Sequence, residues 1–158
     1  MILTGWREQY NRMRRSLERL QRIANGTDDT SADGARDALI HFYQDAYHLK
    51  DWLKNDGTVA IGGVEQAVNN DTTLQLAADL ANGTKHLRLT DTRTGDLKTA
   101  FTSQSVTVRP GTVGSGAPGR PPMYDWTVES GGHAHDAVAL AADVAAAWET
   151  WLRAKGLL

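Results

Sequence analysis

Two stretches of this chain carry matching polar stripes, and that pattern constrains the fold more than any other feature. The first runs His41, Asp45, His48, Trp52 and the second Gln75, Asp79, Asn82, His86. Both follow the spacing i, i+4, i+7, i+11, so each set lies along one face of a helix. Beside them run apolar stripes: Ala35, Leu39, Phe42, Ala46, Leu49 and Leu53 in the first, and Leu76, Leu80 and Leu87 in the second. An apolar helix face has to be buried. If these two pack together, histidines and carboxylates from both helices meet at the edge of the core.

The rest of the chain supplies further helices and a few strands. Trp6, Tyr10, Met13, Leu17, Leu20 and Ala24 keep helical spacing up to a stop at Asn25-Gly26. The first striped helix spans roughly Asp33 to Lys54, and a short piece is expected over Gly63 to Asn69. Asp71 or Thr72 caps the second striped helix, which runs to about Gly83. Beyond His86, Leu87 and Leu89 and then Leu97 to Val108 alternate around Thr94-Gly95-Asp96, which reads as a hairpin. Gly111 to Pro122 holds four glycines and three prolines and reads as a loop. Met123 to Glu129 alternates again, with Tyr124, Trp126 and Val128 on one side, and Gly131-Gly132 ends that strand. A last helix runs from about Asp136 to Lys155. The expectation is an α+β fold, mainly α: one domain over residues 1–158, helical over 1–86, with a β insert over 87–130 and a C-terminal helix over 134–156.

Composition narrows the chemistry. Seventeen basic residues against nineteen acidic give no global field toward nucleic acid or membrane. The absence of cysteine excludes disulfides, thiolate metal sites and a cysteine nucleophile, and suits a reducing compartment. No apolar run near Met1–Trp6 is long enough for a signal peptide. Ala137 to Trp148 is broken by Asp143 and too short to span a bilayer. A cytoplasmic protein with no membrane partner is therefore expected. No glycine-rich loop joins a strand to a helix, so a P-loop or Rossmann nucleotide site is not supported, and no cofactor is implied.

Three constellations could carry chemistry. In the stripes, histidine beside a carboxylate is equipment for acid–base work. The same residues, His41, Asp45, His48, Asp79 and His86, could instead hold a divalent metal in a hydrolase. Or they could form a structural network that sets helix register in a non-catalytic interaction or assembly protein. In the N-terminal helix, Arg7, Arg12, Arg14, Arg15, Arg19 and Arg22 crowd one stretch, a cluster able to grip phosphates. The plainer reading is a solvated face balanced by Glu8 and Glu18. Third, His133 and His135 would face the same way on a strand, although a turn ending at Asp136 as a helix N-cap accounts for them more simply.

The run from Phe42 to Leu53, containing His48-Leu49-Lys50-Asp51-Trp52, is followed by Asp79 to Leu87, containing Ala81-Asn82-Gly83-Thr84-Lys85-His86. Over roughly residues 35–90 this order resembles a group of bacterial and phage proteins, and its layout is similar to HEPN domains. These are helical bundles that in many members act as metal-independent ribonucleases in toxins and defence systems. Their signature is an arginine followed a few residues later by a histidine, often with a polar residue directly after the arginine. On this chain the resemblance puts Asn82 at the polar position and His86 at the histidine, with Ala81 where the arginine belongs. It implies His86 as acid–base residue, Asn82 orienting the substrate, and His48 with Asp45 in support. Lys85 or Arg88 would be the substitute cation. RNA contacts would fall on Arg12, Arg15, Arg19, Arg22 and Lys85, and the implied partners are RNA and a second copy of the chain.

Overall fold

Each expected helix forms, close to its expected limits. The helices are α1 (Trp6–Ala24), α2 (Ala32–Asn55), a short α3 (Val64–Asn70), α4 (Thr72–His86) and α5 (Ala137–Ala154). The computed structural model of the protein describes residues 5–57, 62–86, 89–109 and 119–158; Leu87, Arg88 and residues 111–118 of the glycine- and proline-rich stretch lie outside them. Local chemistry explains the helix ends. Gly26 takes φ +65° after α1, while the Thr27 and Gly26 amides donate to Arg22 O and Ile23 O at 2.9 and 3.1 Å. A Cβ on Gly26 would also lie 2.8 Å from the Pro121 carbonyl. Ser31 Oγ accepts from Gly34 N at 3.1 Å at the start of α2. Asp136 accepts from Val138 N and Ala139 N at 2.8 and 2.7 Å at the start of α5.

The central helix is α2, which packs against α1, α3, α4 and α5. Its apolar face buries Leu39, Phe42, Tyr43, Ala46, Leu49 and Leu53. Two buried hydrogen bonds tie it to α5: Tyr43 OH donates to Ala137 O at 2.7 Å, and Trp148 Nε1 to Ala46 O at 3.0 Å. Both satisfy polar atoms that would be costly to bury unpaired. Among the described residues no helix is long and apolar enough to cross a membrane.

The sheet has three antiparallel strands in the order β1 (Ala100–Arg109), β2 (Arg120–Ser130), β3 (His133–Asp136). Tyr124, Trp126 and Val128 point inward and are buried, as their alternation predicted. Three expectations need correction. The hairpin is not at Thr94-Gly95-Asp96; β1 starts at Ala100 and pairs with β2, from Ala100 opposite Glu129 to Arg109 opposite Arg120. The turn residues are used as anchors instead: Asp96 Oδ2 accepts from Gly131 N at 2.7 Å and Oδ1 from Lys98 N at 2.9 Å. Next, Arg120-Pro121-Pro122 is not loop but the start of β2. Prolines are tolerated there because the β1 register shifts between Thr107 and Arg109, so fewer ladder donors are required. Finally, Gly131 and Gly132, at φ +57° and +78°, make a tight turn into β3. His133 to Asp136 is therefore a strand, and the sheet runs past residue 130.

Candidate functional site

The two flanks of α2 meet different neighbours. Asp45 turns toward α1, where its Oδ2 accepts from Ser16 Oγ at 2.6 Å, while Gln9 Nε2 donates to its backbone carbonyl at 2.9 Å. This corrects the expected support of His86 by Asp45, because the carboxylate is bonded to α1. Asp79 departs from its stripe as well. It is fully buried and accepts from Arg93 N at 2.8 Å, Thr94 N at 2.9 Å and Thr94 Oγ1 at 2.7 Å. Its role is to hold the segment after α4 in place. An apolar helix tolerates a buried carboxylate there because three donors replace its hydration.

His41, His48 and His86 are exposed, so the set His41, Asp45, His48, Asp79 and His86 does not converge. Among the described residues no group of three or more histidines or carboxylates could hold a metal ion. Asp45 and Asp79 have turned to separate protein donors, which leaves the three histidines exposed on two different helices. His133 is exposed and His135 half-buried at the sheet edge, and they too join no such group.

What the structure does bring together lies on the α4 flank. Gln44, Tyr47, His48 and Asp51 of α2 face Ala81, Asn82 and Lys85 of α4 across a cleft of about 310 Å³. Gln44 Nε2 donates to Thr84 Oγ1 at 3.3 Å at its edge. A second cleft of about 190 Å³, lined by Asn82, His86, Leu89, Thr90 and Asp91, adjoins the first. Asn82 borders both, so it stands between His48 and His86. Ala81, where the resemblance expects arginine, is 5 % exposed, and Lys85 is the α4 cation lining the larger cleft. Gln44, Tyr47 and Asp51 were missed in the sequence. Their spacing of three and four residues forms a stripe beside the histidine one, rotated by part of a turn, and the same helical arithmetic could have found it.

Behind the cleft a charged network joins α2 to α3 and to the segment after α4. Lys50, only 7 % exposed, donates to Tyr47 OH at 3.2 Å and lies 4.6 Å above its ring. Glu65 takes Arg93 at 2.6 Å, Lys54 at 3.1 Å and Lys50 at 3.8 Å. Arg93 also bonds Asn69. The hydrogen bonds from Arg93 and Lys54 hold the Glu65 carboxyl down to about 2, against the opposing effect of partial burial. At Tyr47 burial pushes the phenol up. The hydrogen bonds and positive charges of Lys50 and Arg93 together outweigh it, so the net shift is downward.

The arginines of α1 divide into committed and free cations. Arg14 pairs with Glu149 at 3.3 Å, Arg15 with Glu8 at 2.9 Å and Arg22 with Asp28 at 3.6 Å. Arg12 and Arg19 pair with no carboxylate among the described residues. They sit one turn to either side of Ser16, the residue that reaches Asp45, and so border the α1/α2 seam. Comparison of the chain with protein-family models, with curated proteins and with solved structures finds no match in any of the three.

Proposed function

We propose that this is an RNA-binding domain of HEPN-like helical type, serving a defence, toxin or phage system in the cytoplasm, with phosphodiester cleavage weak or absent. The observation that carries this reading is the arrangement of uncommitted polar groups around α2. Arg12 and Arg19 border its α1 side, His48 rides on its exposed ridge, and Asn82 and Lys85 line the cleft on its α4 side. Phosphate contacts by free cations give affinity without a globally basic protein. Arg15 and Arg22, in exposed ion pairs, exchange those partners for phosphate at small cost. In the same reading the chain acts as a homodimer, which presents the basic face twice to one RNA.

Catalysis is expected to be feeble for an electrostatic reason. Cleavage of a phosphodiester develops negative charge that a fixed cation would stabilise. With alanine at position 81 that work falls to Lys85. His86 as acid–base residue, with Asn82 orienting the phosphate and His48 in support, would supply roughly the 10²–10⁴-fold typical of proton transfer alone.

Fluorescence anisotropy with labelled single-stranded and hairpin RNA, repeated across a salt series, tests the reading. Binding should weaken steeply with salt, and each contact removed by Arg12→Ala, Arg19→Ala or Lys85→Ala should lower the log–log slope by about 1. Absence of salt-sensitive binding would contradict it and favour a non-catalytic assembly role, in which the Asp45 and Asp79 networks are purely structural. Brisk cleavage abolished by His86→Ala would overturn the statement about activity.

A further inference from the structure

Among the described residues, the free side of β1 is an open strand edge. β1 is an edge strand, bonded to β2 on one side and to nothing on the other among the described residues. From Ala100 to Val108 it carries no charge and no proline, and between its two register shifts, at Phe101/Ser103 and Thr107/Arg109, residues 103–107 form a regular stretch free to pair. It also displays two valines, Val106 at 46 % and Val108 at 72 % exposure. Val106 pairs with Tyr124 and Gln104 with Trp126, both buried, so these β1 residues lie on the face turned toward the helices. On that face, toward the other end of the strand, a groove of about 260 Å³ is lined by Leu39, Ile40, Phe101, Thr102, Gln104 and Trp126.

We propose that β1 pairs antiparallel with β1 of a second copy of the chain, about a two-fold axis at Ser105. Residues directly opposite in an antiparallel pair share a face. With the axis at Ser105, Val106 of one copy stands opposite Gln104 of the other within the regular stretch, and Val108 lies just beyond it, toward the Thr102 end of the other strand. Each copy thus delivers its exposed valines over the groove of its partner, and the partner does the same in return, as a two-fold interface requires. The match extends to charge. No two like charges meet along the strand, and Arg109 falls opposite Phe101. An unrelated strand would have to reproduce this offset between valines and groove by chance, whereas a second copy has it by construction. This locates the dimer of the RNA reading but rests on β1 alone.

Mass measurement of the full chain by sedimentation velocity tests the pairing without RNA, so failure here and failure of RNA binding are separate results. A concentration-dependent dimer is expected. Val106→Lys with Val108→Lys should weaken it on the order of 100-fold or more, because each copy then brings unpaired positive charge against a groove that Arg36 already lines. Thermal stability should stay unchanged, since both side chains are exposed. In this cysteine-free chain, Ser105→Cys should give a covalent dimer on mild oxidation, far faster than Asp29→Cys. A monomer at every concentration, a dimer that survives the double lysine variant, or Ser105→Cys no faster than Asp29→Cys would each overturn the proposal.

Discussion

The two flanks of α2 begin from the same kind of residue and end in opposite states. On the α1 side, Asp45 is closed off by Gln9 and Ser16, and what is left to meet a ligand there is the rim of α1 arginines, Arg12 and Arg19 among them. On the α4 side, His48, Asn82 and Lys85 border an open cleft, with the Tyr47–Lys50–Glu65–Arg93 network as its floor. Part of a helical turn separates the two. The lesson is that a polar stripe states where a helix is not core. It does not state whether the neighbour supplies partners, and only the partners distinguish a seam from a site.

The closed groups should fail as structure. Asp79 is the extreme case, because Asp79→Ala strands three donors beneath the core. It should cost about 3 kcal/mol or more in chemical denaturation. A loss under about 1 kcal/mol would mean that the segment after α4 is held by something else. Asp45→Ala should cost about 1–2 kcal/mol. Ser16→Ala should cost no more, and the double variant less than the sum, since both remove the same bond. Strict additivity would break the description of this flank as a closed pair.

Glu65 sharpens the comparison through pH. Its folded value of about 2 lies below the ordinary 4.5, so it stabilises the fold above the ordinary value, and that contribution is lost as pH falls toward 2. The side chain is 40 % exposed, so solvent screening reduces the gain to about 1 kcal/mol. Glu65→Gln should lose that much at neutral pH and show a shallower acid limb between about pH 5 and 2. An unchanged acid limb would show that the network contributes no net stability.

Much of the helical framework was legible because its signals are local. The Asn25-Gly26 stop, the polar turn before α2 and the Asp136 cap all act within a few residues of the helix they end or begin. Tyr124, Trp126 and Val128 were readable for the same reason. Apart from the local Gly131-Gly132 turn into β3, the failures are long-range. Thr94-Gly95-Asp96 has hairpin chemistry, yet Thr94 is claimed by Asp79, fifteen residues earlier, and Asp96 by Gly131, thirty-five later. The cleft was legible in its α4 half, through Asn82 and Lys85, and in His48. Its Tyr47 floor depends on Arg93 and Glu65, from parts of the chain that no helical period connects to α2.

Mapping backbone amide shifts during an RNA titration tests the central claim most directly, because it reports each flank separately in one experiment. Salt-sensitive changes are expected at Arg12, Arg19, His48, Asn82 and Lys85. Gln9 and Asp79, buried and bonded within the fold, should move little. His48→Ala should erase the cleft response while leaving the melting temperature nearly unchanged, because an exposed side chain leaves no buried partner behind. Shifts centred elsewhere, or none at RNA concentrations that saturate other single-strand binders, would contradict the assignment of these groups as the site.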